Sequence, residues 1–155
     1  AVLDGMSLVI TAIDPDPRAH AYASALPATA GVAYRRAHSR ELVAEGEGFD
    51  VVISNHILHH LDAAELRGLL QDTEALCPRL AVHSDIARSK AAYALFSAGT
   101  RPFFPGSFIR RDGLTSIRRS YTATELAAAV PPPWRVEAAR PFRLALTLSA
   151  EPGHA

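Results

Sequence analysis

Short apolar runs alternate with segments of helical spacing along most of the chain. The apolar runs predict strands at residues 8–13, 32–37, 49–54, 80–82, 134–138 and 142–149, the last two as a closing hairpin. Helical spacing predicts helices near residues 18–26, 62–77, 86–98 and 123–130, whereas residues 99–113 have the Pro, Gly, Phe and Arg content of a loop or short cap. Such alternation predicts an α/β fold with a mainly parallel sheet and helices on both faces.

Several helix starts carry capping signals. Asp62 with Glu65, and Thr122 with Glu125, have the spacing of a capping box, in which each side chain accepts from the backbone of the other. Asp16 precedes a proline and can cap the first helix. These signals predict where each of these helices begins.

The start of the chain departs from this alternation. Residues 2–4 and 8–13 both have strand character, with only residues 5–7 between them. Parallel neighbours need a crossover of about a dozen residues or more. Three interpretations follow: an antiparallel hairpin around Asp4-Gly5, a single bent strand, or a loop and a helix absent from this sequence.

Composition narrows the classes of partner. The 155 residues predict one domain, and 16 basic residues balance 16 acidic ones, so we expect no nucleic-acid partner. A single cysteine excludes an intramolecular disulfide. No apolar run reaches the roughly 18 residues of a membrane span. We expect a cytoplasmic protein with a small-molecule substrate and no membrane partner; its oligomeric state is open, a homodimer included.

The residues that end the strands resemble those of the class I S-adenosylmethionine-dependent methyltransferases. Residues 2–4 look like the opening of the family's first motif, and Asp14-Pro15 follows the second strand as the family's acidic position does. His38-Ser39 follows the third strand. Residues 49–61 look like the fourth strand and its motif in small-molecule methyltransferases. Residues 84–89, 111–113 and 122–126 resemble one bacterial subgroup.

The resemblance implies a Rossmann-like, doubly wound sheet of order 3-2-1-4-5-7-6 with an antiparallel last strand. It implies a single domain over residues 1–150, a substrate-side cap around residues 86–120 and a tail over residues 151–155. It also favours the third interpretation of the start. We therefore expect this domain to lack N-terminal helices and the Gly-rich loop near residues 4–5.

By resemblance, the cofactor is S-adenosylmethionine. Asp14 would accept hydrogen bonds from both ribose hydroxyls, and its alternative role is a turn-forming Asp before Pro15. His38 stands where the family has an acid, and an exposed loop position is its alternative role. The cofactor-binding set is Asp4, Asp14, Pro15, His38, Ser39, Asn55 and His56.

Methyl transfer to a hydroxyl benefits from a base, and histidine is the natural one near neutral pH. His56, His59 and His60 follow the fourth strand, and we favour His59 or His60. Their alternative role is to pack the helix start and orient the loop. His56 and His60 could also share a helix face as metal ligands, but nothing fixes a third ligand between Asp62 and His83, so we expect no metal.

The predicted substrate-binding residues are Arg88, Phe104, Arg111 and Asp112. Arginines there could pair with a substrate anion, or be solvated and paired with local acids. Aromatic side chains suggest O-methylation of an aromatic or polyketide-like metabolite. Two alternatives stay open. A nicotinamide-dependent oxidoreductase would need a G-x-G-x-x-G turn, which is absent. A non-catalytic binding module could keep the fold without the cofactor loop.

Overall fold

The computed structural model describes residues 2–3, 6–77, 79–103 and 107–149. The chain forms two compact units, residues 1–47 and residues 48–155. Each combines strands with helices, and parallel pairing occurs in both, which confirms the α/β class. No helix in the described ranges is long and apolar enough to cross a membrane.

The first unit contains two separate strand pairs. β1 (Val2–Leu3) pairs antiparallel with β2 (Met6–Ser7). β3 (Ile10–Ile13) pairs in parallel with β4 (Val32–Arg35), and α1 (Pro17–Ser24) connects them. The unit continues into α2 (Ser39–Ala44). This β–α–β arrangement is the predicted pairing of the second and third strands of the fold.

The start of the chain adopts the hairpin arrangement. Val2 faces Ser7 and Leu3 faces Met6, so β1 is not a parallel neighbour of the strand that follows it. Asp4 and Gly5, which separate the two strands in sequence, lie outside the described residues. The absence of a Gly-rich loop and crossover helix from this domain stays a prediction.

The second unit is built on a four-stranded sheet of order β5-β6-β8-β7. β5 (Val52–Asn55) and β6 (Leu80–Ile86) are parallel, and β8 (Arg143–Ser149) runs antiparallel to both β6 and β7 (Arg135–Ala139). This order and the antiparallel last strand match the 4-5-7-6 end of the predicted sheet. The order across all seven predicted strands stays a prediction.

Helices and one 3₁₀ turn connect these strands. The turn is Leu58–His60, and the helices are α3 (Ala63–Leu76), α4 (Lys90–Thr100), α5 (Phe108–Arg119) and α6 (Ala123–Ala129). The predicted caps of α1, α3 and α6 are confirmed: Asp16, Asp62 and Thr122 each accept from a backbone N–H in the first turn of their helix. Those backbone N–H groups also lower the pKa of Asp62, because they stabilise its charged form.

The core of the second unit lies between its sheet and helices α3 and α6. Leu66 and Leu70 of α3 and Leu126 of α6 are almost wholly buried, as are Leu144 and Leu146 of β8. Fully burying a leucine side chain contributes about 2 kcal/mol. The period-two alternation of β6 places Ala81, His83 and Asp85 on its buried face, so a histidine and a carboxylate enter this otherwise apolar interior.

Two predicted boundaries are wrong. The helix predicted over residues 86–98 begins only at Lys90, because β6 continues to Ile86 and the Ser89 hydroxyl caps α4. The loop predicted over residues 99–113 ends at Ser107, where α5 begins. Gly113 looked like a breaker, but it lies inside α5, where it gives room to the ring of Phe96.

Candidate active site

The candidate site lies at the carboxyl ends of β5 and β6, where open α/β sheets bind their ligands. Asn55 and Ser84 are register partners at these ends, and the His56 N–H donates to the Ser84 carbonyl across 2.8 Å. His56 has a left-handed backbone (φ 59°), which is rare for a residue other than glycine. The chain therefore turns sharply as β5 ends and enters the 3₁₀ turn Leu58–His60.

That turn places His59 directly against Asp85. Their side chains are 3% and 4% exposed, and His59 Nδ1 lies 2.8 Å from Asp85 Oδ1. The His59 backbone N–H donates to Asp85 Oδ2 across 2.8 Å, and the Ile86 N–H donates to Oδ1 across 2.7 Å. Because a carboxylate accepts, Nδ1 carries a proton, so the neutral form of His59 has its lone pair on Nε2. Nε2 has no partner among the described residues.

His56 is held in a different way. Its Nε2 lies 2.6 Å from Nη1 of Arg143. A guanidinium only donates, so the Nε2 lone pair is already engaged. Burial and the charge of Arg143 lower the pKa of His56. We infer that His56 stays neutral and holds Arg143, and its candidacy as the base is weak.

Arg143 connects the ends of three strands. Its Nη2 donates to Asn55 Oδ1 across 2.5 Å and to Ser84 Oγ across 2.7 Å. All its partners are neutral, and within the described ranges it has no acidic one. Sequence reasoning missed both Arg143 and Asp85 as site residues. Two signals in the sequence were available. Arg143 is a cationic residue at the start of the apolar final strand, and Asp85 is a carboxylate near the end of β6.

His60 is exposed, and its ring is tilted against that of His59 with the centroids 4.0 Å apart. The proposed metal pair of His56 and His60 required a helix, but α3 begins only at Ala63. His83 is buried between Ser54 and Thr73 on the sheet's inner face. Among the described residues, no three potential ligands form a metal-binding group.

The remaining predicted cofactor residues belong to the first unit. Asp14 is exposed, and its Oδ1 accepts from the Asp16 N–H across 2.8 Å, as a turn-forming Asp before Pro15 does. Oδ2 has no partner among the described residues. His38 precedes α2, and its N–H donates to the Glu41 carboxylate across 2.6 Å; Ser39 is the first residue of α2. Asp4 lies outside the described residues.

The predicted substrate residues are dispersed over several elements. Arg88 pairs with Glu125, a local acid. Arg111 and Asp112 are exposed on α5, and Phe104 lies outside the described residues. Arg118 donates to the Tyr93 hydroxyl across 2.7 Å, a contact between α4 and α5.

A cavity of about 340 Å³ lies beside the end of β6, between α4, α5 and the turn before β8. Its walls are mainly apolar, and Arg143 is the charged residue in them. The wall residues include Ala92, Phe96, Gly113, Ile117 and Phe142. Ligand pockets commonly have this size and this mixture of an apolar wall with few polar groups.

Comparison with known proteins gives one family and several structures. The sequence model of a family described as a methyltransferase domain matches residues 2–76. No curated protein matches. Similar structures include the plantazolicin methyltransferase BpumL in complex with S-adenosylhomocysteine, with a TM-score of 0.65, 12% identity, and coverage of 91% of this chain and 66% of that one.

Two further similar structures carry related ligands. Human N-acetylserotonin methyltransferase in complex with S-adenosylmethionine has a TM-score of 0.58 and 13% identity, with coverage of 91% of this chain and 40% of that one. Magnesium protoporphyrin IX methyltransferase from Synechocystis PCC 6803, with bound S-adenosylhomocysteine, has a TM-score of 0.51 and 13% identity, with coverage of 92% of this chain and 64% of that one. The chain thus spans less than two thirds of each of the three proteins.

At these identities the structures establish a shared fold, and the matching family model covers the strands and helices from β1 to α3. Residues 2–76 thus match a methyltransferase-domain family, and the chain shares the fold of methyltransferases whose structures contain S-adenosylhomocysteine.

Proposed function

We propose that this domain transfers a methyl group from S-adenosylmethionine to a hydroxyl of a small aromatic or polyketide-like acceptor, with His59 as the general base. The observation that carries the proposal is the pairing of His59 with Asp85 at the carboxyl ends of β5 and β6. In the neutral imidazole this pairing places the proton on Nδ1 and the lone pair on Nε2, which is the tautomer that a base needs. Asp85 is a positioning residue, since it acts through His59.

The described residues fit part of the cofactor. Asp14 Oδ2 is exposed and unpartnered, so it can accept a hydrogen bond from a ribose hydroxyl. Within the second unit, Asn55 is the last residue of β5 and His56 follows it. When bound, S-adenosylmethionine supplies an electrophilic methyl group on a sulfonium. The Gly-rich turn that the family uses for the methionine part is expected to be absent near residues 4–5.

His59 contributes by moving a proton. Nε2 would take the acceptor O–H proton. S-adenosylmethionine would supply the methyl group, whose carbon–sulfur bond would break as the carbon–oxygen bond forms, leaving neutral S-adenosylhomocysteine. The imidazole becomes an imidazolium, whose positive charge Asp85 stabilises across 2.8 Å. Positioned general bases contribute about 10²–10⁴-fold to rate. The His60 ring packs against the His59 ring. The Nε2 lone pair of His56 already accepts a hydrogen bond from Arg143.

The acceptor class rests on the apolar cavity beside β6. Related structures are named for acceptors of different kinds, among them N-acetylserotonin and magnesium protoporphyrin IX, so the fold leaves the acceptor open. Phe96 and Phe142 in the cavity wall favour a flat, apolar acceptor.

A methyl-transfer assay tests the proposal. S-adenosylmethionine with a tritiated methyl group is incubated with a panel of phenols and hydroxylated polyketides, and the label transferred to each is measured. Replacing His56, His59 and His60 by Ala in turn should give the largest loss in kcat, about 10²-fold or more, at His59. Equal rates for wild type and His59→Ala on an accepted substrate would remove the base. No transfer to any hydroxyl compound, with transfer to amines instead, would remove O-methylation.

The β1–β2 hairpin favours a second candidate, a binding module that kept the fold without catalysis. Such a module would bind neither S-adenosylmethionine nor S-adenosylhomocysteine. The oxidoreductase alternative loses its support, since the matching family is a methyltransferase family.

A further inference from the structure

We propose that the cavity beside β6 binds an acceptor whose apolar body carries a carboxylate, and that Arg143 binds this carboxylate. That this ligand is a methyl acceptor rests on the proposed function. The binding site itself lies wholly within the second unit. The cavity walls are apolar, and one cationic residue, Arg143, lies in them. A ligand that fills the cavity would therefore pair an apolar surface with one anionic group.

The guanidinium of Arg143 is held in place and has no acidic partner among the residues that the structure describes. It donates to His56 Nε2, Asn55 Oδ1 and Ser84 Oγ, all of them neutral acceptors. A guanidinium has five N–H donors, so about two remain available to a ligand. The nearby Asp85 carboxylate is occupied by His59 and by the Ile86 N–H. Arginine rather than lysine suits this task, since its fork matches a carboxylate.

Backbone conformation supports the same assignment. His56 (φ 59°) and Phe142 (φ 52°) are the non-glycine residues with a left-handed backbone in the part of the chain that the structure describes. Both flank Arg143: one accepts its hydrogen bond, and the other precedes it in sequence and lines the cavity. Conformations of this kind cost about 1–3 kcal/mol each and concentrate at binding sites.

The geometry also relates this carboxylate site to the base. The ring of His56, which contacts Arg143 at 2.6 Å, lies edge-on to the ring of His59 with the centroids 6.4 Å apart. His56 thus contacts Arg143 through its Nε2 and faces the ring of the candidate base, His59. This arrangement would select hydroxylated aryl acids over neutral phenols of the same size.

Calorimetric titration of naphthoate, with the neutral isostere naphthamide as the matched ligand, tests the site without requiring turnover. We expect saturable binding of naphthoate, at least about tenfold weaker binding of naphthamide, and a similar loss for naphthoate with Arg143→Gln. Arg119→Gln removes one charge from an exposed position of α5 that does not line the cavity, and should leave the affinity for naphthoate unchanged. Arg143→Lys should lie between wild type and Arg143→Gln.

Four results would overturn the proposal: no saturable naphthoate binding, equal affinity for the amide, no effect of Arg143→Gln, or displacement of naphthoate by saturating S-adenosylhomocysteine. The naphthoate–naphthamide comparison on the wild type decides the matter even if Arg143→Gln does not fold. Failure of S-adenosylhomocysteine to bind, with the naphthoate discrimination intact, would reject the proposed function and leave the carboxylate site standing.

Discussion

His59 Nδ1 donates to Asp85 Oδ1 across 2.8 Å, although the two residues are 26 positions apart in the sequence. Parallel pairing of β5 and β6 ends both strands at one edge, and the 3₁₀ turn returns His59 to that edge. Both side chains are nearly buried, with 3% and 4% of their surface exposed, and His59 Nε2 has no partner among the described residues. Three donors bind the carboxylate, so it remains an acceptor and fixes the tautomer of the histidine.

We expect Asp85→Asn to shift His59 toward the tautomer protonated at Nε2. Asparagine offers one carbonyl oxygen and one NH₂ group in place of two acceptors. When the amide nitrogen faces the ring, Nδ1 must accept from it, and Nε2 then carries the proton and cannot act as a base. Nitrogen NMR of the histidine ring should report the shift, and kcat on an accepted substrate should fall by about 10²-fold or more.

A purely structural role for Asp85 would give a different pattern. Asp85→Asn would then lower the free energy of unfolding by about 1–3 kcal/mol, with the His59 tautomer and kcat unchanged. Asp112→Asn is the matched control, because this aspartate is exposed on α5. That variant should leave the His59 tautomer as in the wild type.

Stability should decrease with acid because of His83. Burial lowers the pKa of His83 to about 4, from 6.5 when exposed. The Thr73 hydroxyl donates to the Leu69 carbonyl, so Nε2 donates to Thr73 Oγ1, and Nδ1 is left to accept from Ser54 across 2.7 Å. The folded state therefore holds a neutral imidazole, while the unfolded state takes up a proton below about pH 6.5.

This difference makes the unfolded state bind more protons between about pH 6.5 and 4, so stability falls as the pH falls through that range. The loss attributable to His83 approaches about 3 kcal/mol. Urea unfolding, followed by fluorescence of the single tryptophan, Trp134, should show a shallower pH dependence in His83→Gln. His20→Gln, on α1, should keep the wild-type slope, and an unchanged slope in His83→Gln would contradict the assignment.

Two helical glycines should respond oppositely to alanine. Gly68, inside α3, has nothing within 4 Å of an added Cβ, so Gly68→Ala should raise stability by about 0.5–1 kcal/mol. At Gly113 a Cβ would lie 2.5 Å from the Phe96 ring, which must move to make room.

We therefore expect Gly113→Ala to gain less stability than Gly68→Ala and to weaken naphthoate binding, since Phe96 and Gly113 both line the cavity. Thermal unfolding and calorimetry measure the two effects. Equal gains in Tm for the two variants would show that Phe96 does not require the glycine.

Local patterns predicted the elements well where apolar spacing and caps agreed. Asp62 with Glu65 marked the start of α3, and the two closing strands were recovered within about two residues, because side-chain periodicity is a local property. Helix α5 was missed because the Pro, Gly, Phe and Arg content of residues 99–113 indicated a loop, and this helix is polar overall, with Ile117 its one buried residue.

The site was predicted only in part, for a physical reason. The three histidines after β5 could be selected from the sequence, but their roles depend on partners from β6 and β8. The hydrogen bond to Asp85 distinguishes His59 from His56 and His60. Arg143, 87 positions away in the sequence, donates to His56. Such long-range pairings carry no local pattern. The alternative in which His56 and His60 share a helix face does not apply, because the chain turns at His56 and α3 begins only at Ala63.

Calorimetric titration of S-adenosylhomocysteine into the protein tests the central claim most directly, because it requires no knowledge of the acceptor. We expect saturable binding at one site per chain, weakened about tenfold or more by Asp14→Ala, since that change removes the exposed carboxylate proposed to hold the ribose. Asp50→Ala, another exposed aspartate, should bind as the wild type does. The absence of binding to the folded wild-type protein would contradict the methyltransferase assignment of function and favour a binding module that kept the fold.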